Sequence, residues 1–121
     1  MSFFKNLFNK EPKPGKPITV TDEDFEAEVL ASPLPVVVDF WSPTCAPCQV
    51  MGGLLNEIGP DYIDRVKLVK VNVVQNPDLA VKFQIQSVPT LIVFKEGKAV
   101  ERLTGLIPLN PLRTLMDKLS R

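Results

Sequence analysis

An α/β fold built on a mixed, five-stranded sheet flanked by helices is predicted by three features of this 121-residue chain. From residue 18 to residue 94, short β-branched runs alternate with stretches of helical periodicity, the pattern of strands joined by crossover helices. One of those runs, Val36-Val37-Val38, is apolar at consecutive positions, as a strand covered on both faces requires. Nearer the C-terminus, two such runs are separated only by Lys95-Glu96-Gly97-Lys98, a hairpin signal that adds an antiparallel pair to the parallel part.

The elements follow in order. Ile18-Thr19-Val20 is a short strand. Thr21 is placed to cap a helix whose first turn carries Asp22, Glu23 and Asp24, residues that suit the positive end of the helix dipole. Phe25, Val29 and Leu30 form its apolar stripe, and Ser32-Pro33 ends it. Pro35 to Trp41 is the buried strand. A long helix is predicted from about Cys45 to Ile63, apolar at Val50, Leu54, Leu55, Ile58 and Ile63, with a break offered by Gly59-Pro60. Val66 to Val74 is a third strand. Asn76-Pro77 reads as cap and first position of a short helix with Leu79, Ala80 and Phe83 inward. Pro89 to Phe94 and Ala99 to Leu103 make the hairpin, and a last helix runs from about Asn110 to Leu119.

Length and composition predict one domain, with residues 1–17 as an extension and residues 18–121 as the folded part. Phe3, Phe4, Leu7 and Phe8 would share one face of a short helix, and Glu11-Pro12-Lys13-Pro14-Gly15-Lys16-Pro17 reads as a stiff Pro/Lys-rich linker. The extension is expected to be a solvated terminus; membrane-surface contact is the second reading, and the segment is too short to hold firmly alone. A formal net charge of zero argues against a nucleic-acid partner. The absence of histidine excludes Ser/His and Cys/His nucleophile pairs and any His-ligated metal. The first ten residues lack the apolar core of a secretory signal, so a cytoplasmic location is expected.

The two cysteines, Cys45 and Cys48, follow the buried strand in Phe40-Trp41-Ser42-Pro43-Thr44-Cys45-Ala46-Pro47-Cys48 and stand where a helix begins. Two thiols three residues apart can close a small disulfide ring without unfolding anything. A thiol at a helix start also meets unpaired N–H groups and the positive end of the dipole, which favour the thiolate that attacks disulfides. In a reducing compartment such a pair is catalytic or metal-binding rather than a staple. Zinc wants about four ligands, so one chain with two sulfurs is not expected to hold it; a four-thiolate site shared by two copies is the remaining metal alternative. Thiol–disulfide exchange is the chemistry expected.

From about Ile18 onward the chain resembles the thioredoxin family. The resemblance rests on Val38-Asp39-Phe40-Trp41 ahead of Cys45-Ala46-Pro47-Cys48, on Lys70-Val71-Asn72 with Gln75-Asn76-Pro77, on Val88-Pro89-Thr90-Leu91 before Phe94-Lys95-Glu96-Gly97, and on Gly105. It implies the thioredoxin fold, reduction of protein disulfides, a monomer recharged by thioredoxin reductase, and no cofactor beyond the dithiol itself. It also implies roles. Cys45 becomes the attacking nucleophile and Cys48 the resolving thiol. Asp39, an ionisable group inside an apolar strand, should have a raised pKa; by resemblance it lies beneath Cys48 as its general base, with Lys70 as charge neighbour. Pro47 stiffens the loop between the sulfurs and accompanies reducing members of the family, and Ala46 stands where glycine is common. Pro89 is expected to be cis, presenting Val88 backbone groups to an extended substrate. Trp41 is expected to pack under the active-site loop, and Gly105 to allow close approach beside the substrate groove.

Several positions depart from the family pattern. Thr44 replaces a second tryptophan, Gln49 a basic residue, and Val74 an acidic one. Gly52-Gly53 stands where the long helix usually has a proline kink; each glycine weakens a helix by about 1 kcal/mol relative to alanine. The chemistry is expected to survive these changes, and the choice of partners to be altered by them. A disulfide oxidant or isomerase with a dedicated partner, and a non-catalytic binding module on the same fold, are the alternatives at this point.

Overall fold

A computed structural model describes residues 14–121, so the expectations for residues 1–13 lie outside the described part. Five strands form one sheet in the order β1-β3-β2-β4-β5. They are β1 (Ile18–Thr19), β2 (Val36–Trp41), β3 (Lys67–Asn72), β4 (Thr90–Lys95) and β5 (Lys98–Thr104). β1 and β2 run parallel to β3, whereas β4 is antiparallel to β2 and β5 to β4. The parallel part and the terminal hairpin are as the sequence predicts. The helices are α1 (Glu26–Leu30), α2 (Ala46–Ile58), α3 (Pro77–Lys82) and α4 (Leu109–Leu119).

The central strand decides what lies on which side. Side chains alternate along β2, so Val36, Val38 and Phe40 enter the core under α1 and α3, with Val29, Leu79, Ile92 and Phe94. Val37 enters the opposite core, where Met51, Leu55 and Ile58 of α2 meet Leu112, Leu115 and Met116 of α4. Asp39 is two residues from Val37 and therefore points to the α2 side. In register with it stand Lys70 on β3 and Leu91 on β4.

Element ends differ from the expected boundaries for local reasons. α1 is a single π-type turn, closed by the Ala31 N–H on the Glu26 carbonyl five residues back. Thr21 does not cap it: its hydroxyl and its N–H both donate to the Asp24 carboxylate, at 3.1 and 2.6 Å. α2 stops at Ile58 because Pro60 has no N–H to give, and Gly59–Tyr62 tightens into a 3₁₀ turn. β3 ends at Asn72, whose side-chain oxygen accepts from the N–H groups of Val74 and Gln75 and turns the chain there. Asn76 precedes α3 without capping it. Its amide instead donates to the Asn72 carbonyl at 2.9 Å and accepts from the Asp22 N–H at 3.0 Å, tying the turn before α1 to the end of β3.

Candidate active site

β2 is covered on both faces, so the chain leaves the sheet at Trp41 already held in place, and the next residues reach the start of α2 within one short loop. Cys45 occupies the cap position in extended conformation, with Ala46 and Pro47 as the first two helical residues. Proline fits there because a first-turn N–H has no intrahelical partner to lose. Cys45 and Cys48 are joined as a disulfide with their Cα atoms 5.2 Å apart. The Cys48 N–H donates to Cys45 Sγ at 3.1 Å, so a backbone donor at the helix start is aimed at the first sulfur. The two sulfurs differ in access: Cys48 is 3% exposed, whereas Cys45 is half-buried and flanked by exposed Thr44, Ala46 and Pro47.

Opposite Cys45 lies the turn into β4. The Val88–Pro89 peptide is cis, and the Val88 carbonyl oxygen is 3.7 Å from Cys45 Sγ. Two bonds hold that turn. Thr90 Oγ1 donates to the Ser87 carbonyl at 2.8 Å, and the Gly105 N–H donates to the Pro89 carbonyl at 2.8 Å. Gly105 has φ +89°, a conformation that favours glycine, and it is bonded to the site through Pro89.

Beneath Cys48 a cleft of about 230 Å³ opens, lined by Asp39, Trp41, Cys48, Gln49, Gly52, Gly53, Asn56 and Lys70. Asp39 is 2% exposed, and its Oδ1 has no hydrogen-bond partner among the described residues; the same holds for Trp41 Nε1. Burial pushes the Asp39 carboxyl up from its ordinary 3.8 to about 7, and the nearby Lys70 ammonium only partly opposes the rise. Cys48, Asp39, Lys70 and Trp41 therefore share one space, whereas the Val88–Pro89 turn meets the site at Cys45. Sequence reasoning did not assign Asn56 to this space. Its spacing offered the signal, since Cys48, Gly52 and Asn56 recur at intervals of four along one face of α2. Thr90 was likewise missed; a hydroxyl at the start of a strand reads as ordinary β composition.

Residues 16–118 match the family model for thioredoxin. Among similar proteins, Thioredoxin 1 of Synechococcus elongatus is 46% identical over 99 residues, covering 82% of this chain and 92% of that protein. A thioredoxin of Griffithsia pacifica is 45% identical over 101 residues, covering 83% and 93%. Thioredoxin C-2 of Corynebacterium nephridii is 41% identical over 101 residues, covering 84% and 94%. The fold and the paired cysteines define a thiol–disulfide oxidoreductase of the protein-disulfide reductase kind. The chain belongs to the thioredoxin family. No group of three or more candidate metal ligands occurs among the described residues, and no helix there is long and apolar enough to cross a membrane.

Proposed function

We propose that Cys45 is the nucleophile, Cys48 the resolving thiol and Asp39 its general base, in a two-step reduction of protein disulfides. In the reduced protein, Cys45 thiolate attacks one sulfur of a client disulfide and displaces the other as thiolate. A Cys45–client disulfide forms. Asp39 then takes the proton of Cys48, and the new thiolate attacks Cys45 Sγ, closing Cys45–Cys48 and releasing the second client sulfur. Two electrons pass from the dithiol to the client, and the two client thiolates take up protons from solvent. No further cofactor enters, because the sulfurs carry the electrons.

The observation that carries this assignment is the asymmetry of the pair: an accessible Cys45 with a backbone donor on its sulfur, and a buried Cys48 above a carboxyl poised near neutral pH. Lys70 tempers the carboxyl. Trp41, Ala46 and Pro47 shape the surface around the sulfurs. An extended client is placed to pair with the Val88 backbone beside Pro89, with Gly105 bounding the groove. Residues 18–121 are the working domain, a monomer in the cytoplasm recharged by thioredoxin reductase.

Insulin-disulfide reduction tests the roles. Cys45→Ser is expected to abolish turnover, and Cys48→Ser to accumulate a covalent client adduct; full turnover by either variant rules the mechanism out. Direction is tested by redox titration. A midpoint near the family value of about −270 mV fits a reductant, whereas one of about −120 to −180 mV would make the protein an oxidant or isomerase.

A further inference from the structure

Two glycines in the middle of α2 are not demanded by anything packed against them. Neither Gly52 nor Gly53 has a left-handed backbone, and a methyl group added at either would meet no atom of the described residues within 4 Å. Glycine nevertheless weakens a helix interior relative to alanine, so a stability argument alone would place alanine at both positions. What the two residues share is location, since both line the cleft over Asp39. Gly52 falls between Cys48 and Asn56 at four-residue spacing, and Gly53 follows Gln49 by the same interval. The part of α2 turned toward the buried carboxyl therefore has polar side chains at its edges and none at its centre.

We propose that Gly52 and Gly53 are positioning residues that keep this cleft open, so that water reaches Asp39 and carries to solvent the proton taken from Cys48. The inference rests on the mechanism above and assigns it an exit. A cleft of about 230 Å³ has room for several waters, each of which occupies about 30 Å³ in the liquid. Gln49, Asn56 and Lys70 supply the polar partners such waters need. The titratable and charged groups facing Asp39 are Lys70 from β3 and Cys48 from α2. β4 presents Leu91, and α2 otherwise offers only uncharged side chains. The proton passes from Cys48 Sγ to an Asp39 oxygen and then to water, with no other bond made or broken.

The test uses Gly52→Ala, Gly53→Ala and the double variant in the full chain. Three quantities are read: thermal unfolding, the alkylation rate of Cys45 by iodoacetamide in the reduced protein, and the pH dependence of resolution of a Cys45–thionitrobenzoate mixed disulfide. Each alanine is expected to raise the melting temperature by about 4 °C. Cys45 alkylation should be unchanged. Resolution in the double variant should slow by about 10-fold, a part of the roughly 10²–10⁴ that general base catalysis supplies, with its profile displaced to higher pH. A stabilised double variant that resolves at the parental rate with the parental profile overturns the proposal. So do alanine variants that fail to fold, because room for a methyl group is its premise. Absence of resolution in the parent protein at every pH would instead sink the underlying mechanism.

Discussion

Asp39 is the residue where folding and chemistry pull against each other. Its neighbours in β2 are buried valines and a phenylalanine, so the carboxyl is carried into the interior with the strand and, among the described residues, finds no hydrogen bond on Oδ1. The unfolded chain releases this proton near pH 4, the folded chain only near 7. Between those values the native state holds the extra proton, and stability falls as pH rises. At ~1.4 kcal/mol per pH unit, the loss reaches about 4 kcal/mol above pH 7. Asp39→Asn should remove the slope. Urea unfolding of the oxidised proteins is expected to show a stability difference, variant minus parent, that grows by about that amount between pH 4 and pH 8. A difference independent of pH would mean the carboxyl is not the titrating group. The same variant should slow turnover, because it leaves Cys48 without its base. At this scale much of the site is legible in the sequence: a CxxC at a helix start and an acid inside an apolar strand are chemically conspicuous. Asn56 is not, because a polar residue on a helix reads as part of a solvated face until the strand beneath is known to carry a carboxyl.

α2 shows at the scale of an element why glycines cannot be read alike. At its C-terminal end Gly59 faces the chain entering the domain, and a Cβ there would lie 2.2 Å from the Gly15 carbonyl oxygen. Gly15 has φ +94° and returns the same close approach against Gly59. Gly59→Ala must therefore push backbone against backbone, and is expected to destabilise the protein by about 1–3 kcal/mol in urea. The alanines at Gly52 and Gly53, seven and six residues earlier in the same chain, act in the opposite direction. A neutral Gly59→Ala would show that residues 14–16 are not held against the end of α2. The hairpin carries a second element-scale prediction. Arg102 of β5 donates to the carbonyls of Phe83 and Gln84 at the end of α3, where Gln84 has φ +53°. Arg102→Ala should loosen the approach to Val88 and lower stability by about 1 kcal/mol, with hydrogen exchange rising at residues 83–88. Periodicity locates these elements within a few residues, but their ends are set by bonds that cross the fold. Asn76 reads as a helix cap and instead bridges Asn72 and Asp22, 54 residues away in sequence; no local pattern announces that.

Across the whole molecule the sheet separates a working side from a supporting side. β2 sends Asp39 with Val37 toward α2, while Val36, Val38 and Phe40 pack against α1 and α3. Each core is closed on its own: Ile58 belongs to the α2–α4 cluster and Ile92 to the α1–α3 cluster. Both side chains are buried, and neither lines the cleft over Asp39. Removing one methylene from each should therefore test the partition without touching the chemistry. Ile58→Val and Ile92→Val are each expected to lower stability by about 0.5–1.5 kcal/mol. With no shared partner across the sheet, the double variant should equal the sum of the singles to within about 0.5 kcal/mol. Cys45 alkylation and the pH profile of turnover should match the parent in all three. A larger coupling energy would mean that the β-sheet transmits packing strain between its faces, and the cysteine site would then depend on residues far from it. Additivity with unchanged alkylation would show that the packing of neither core tunes the cysteine pair, leaving its reactivity to the groups that surround the two sulfurs.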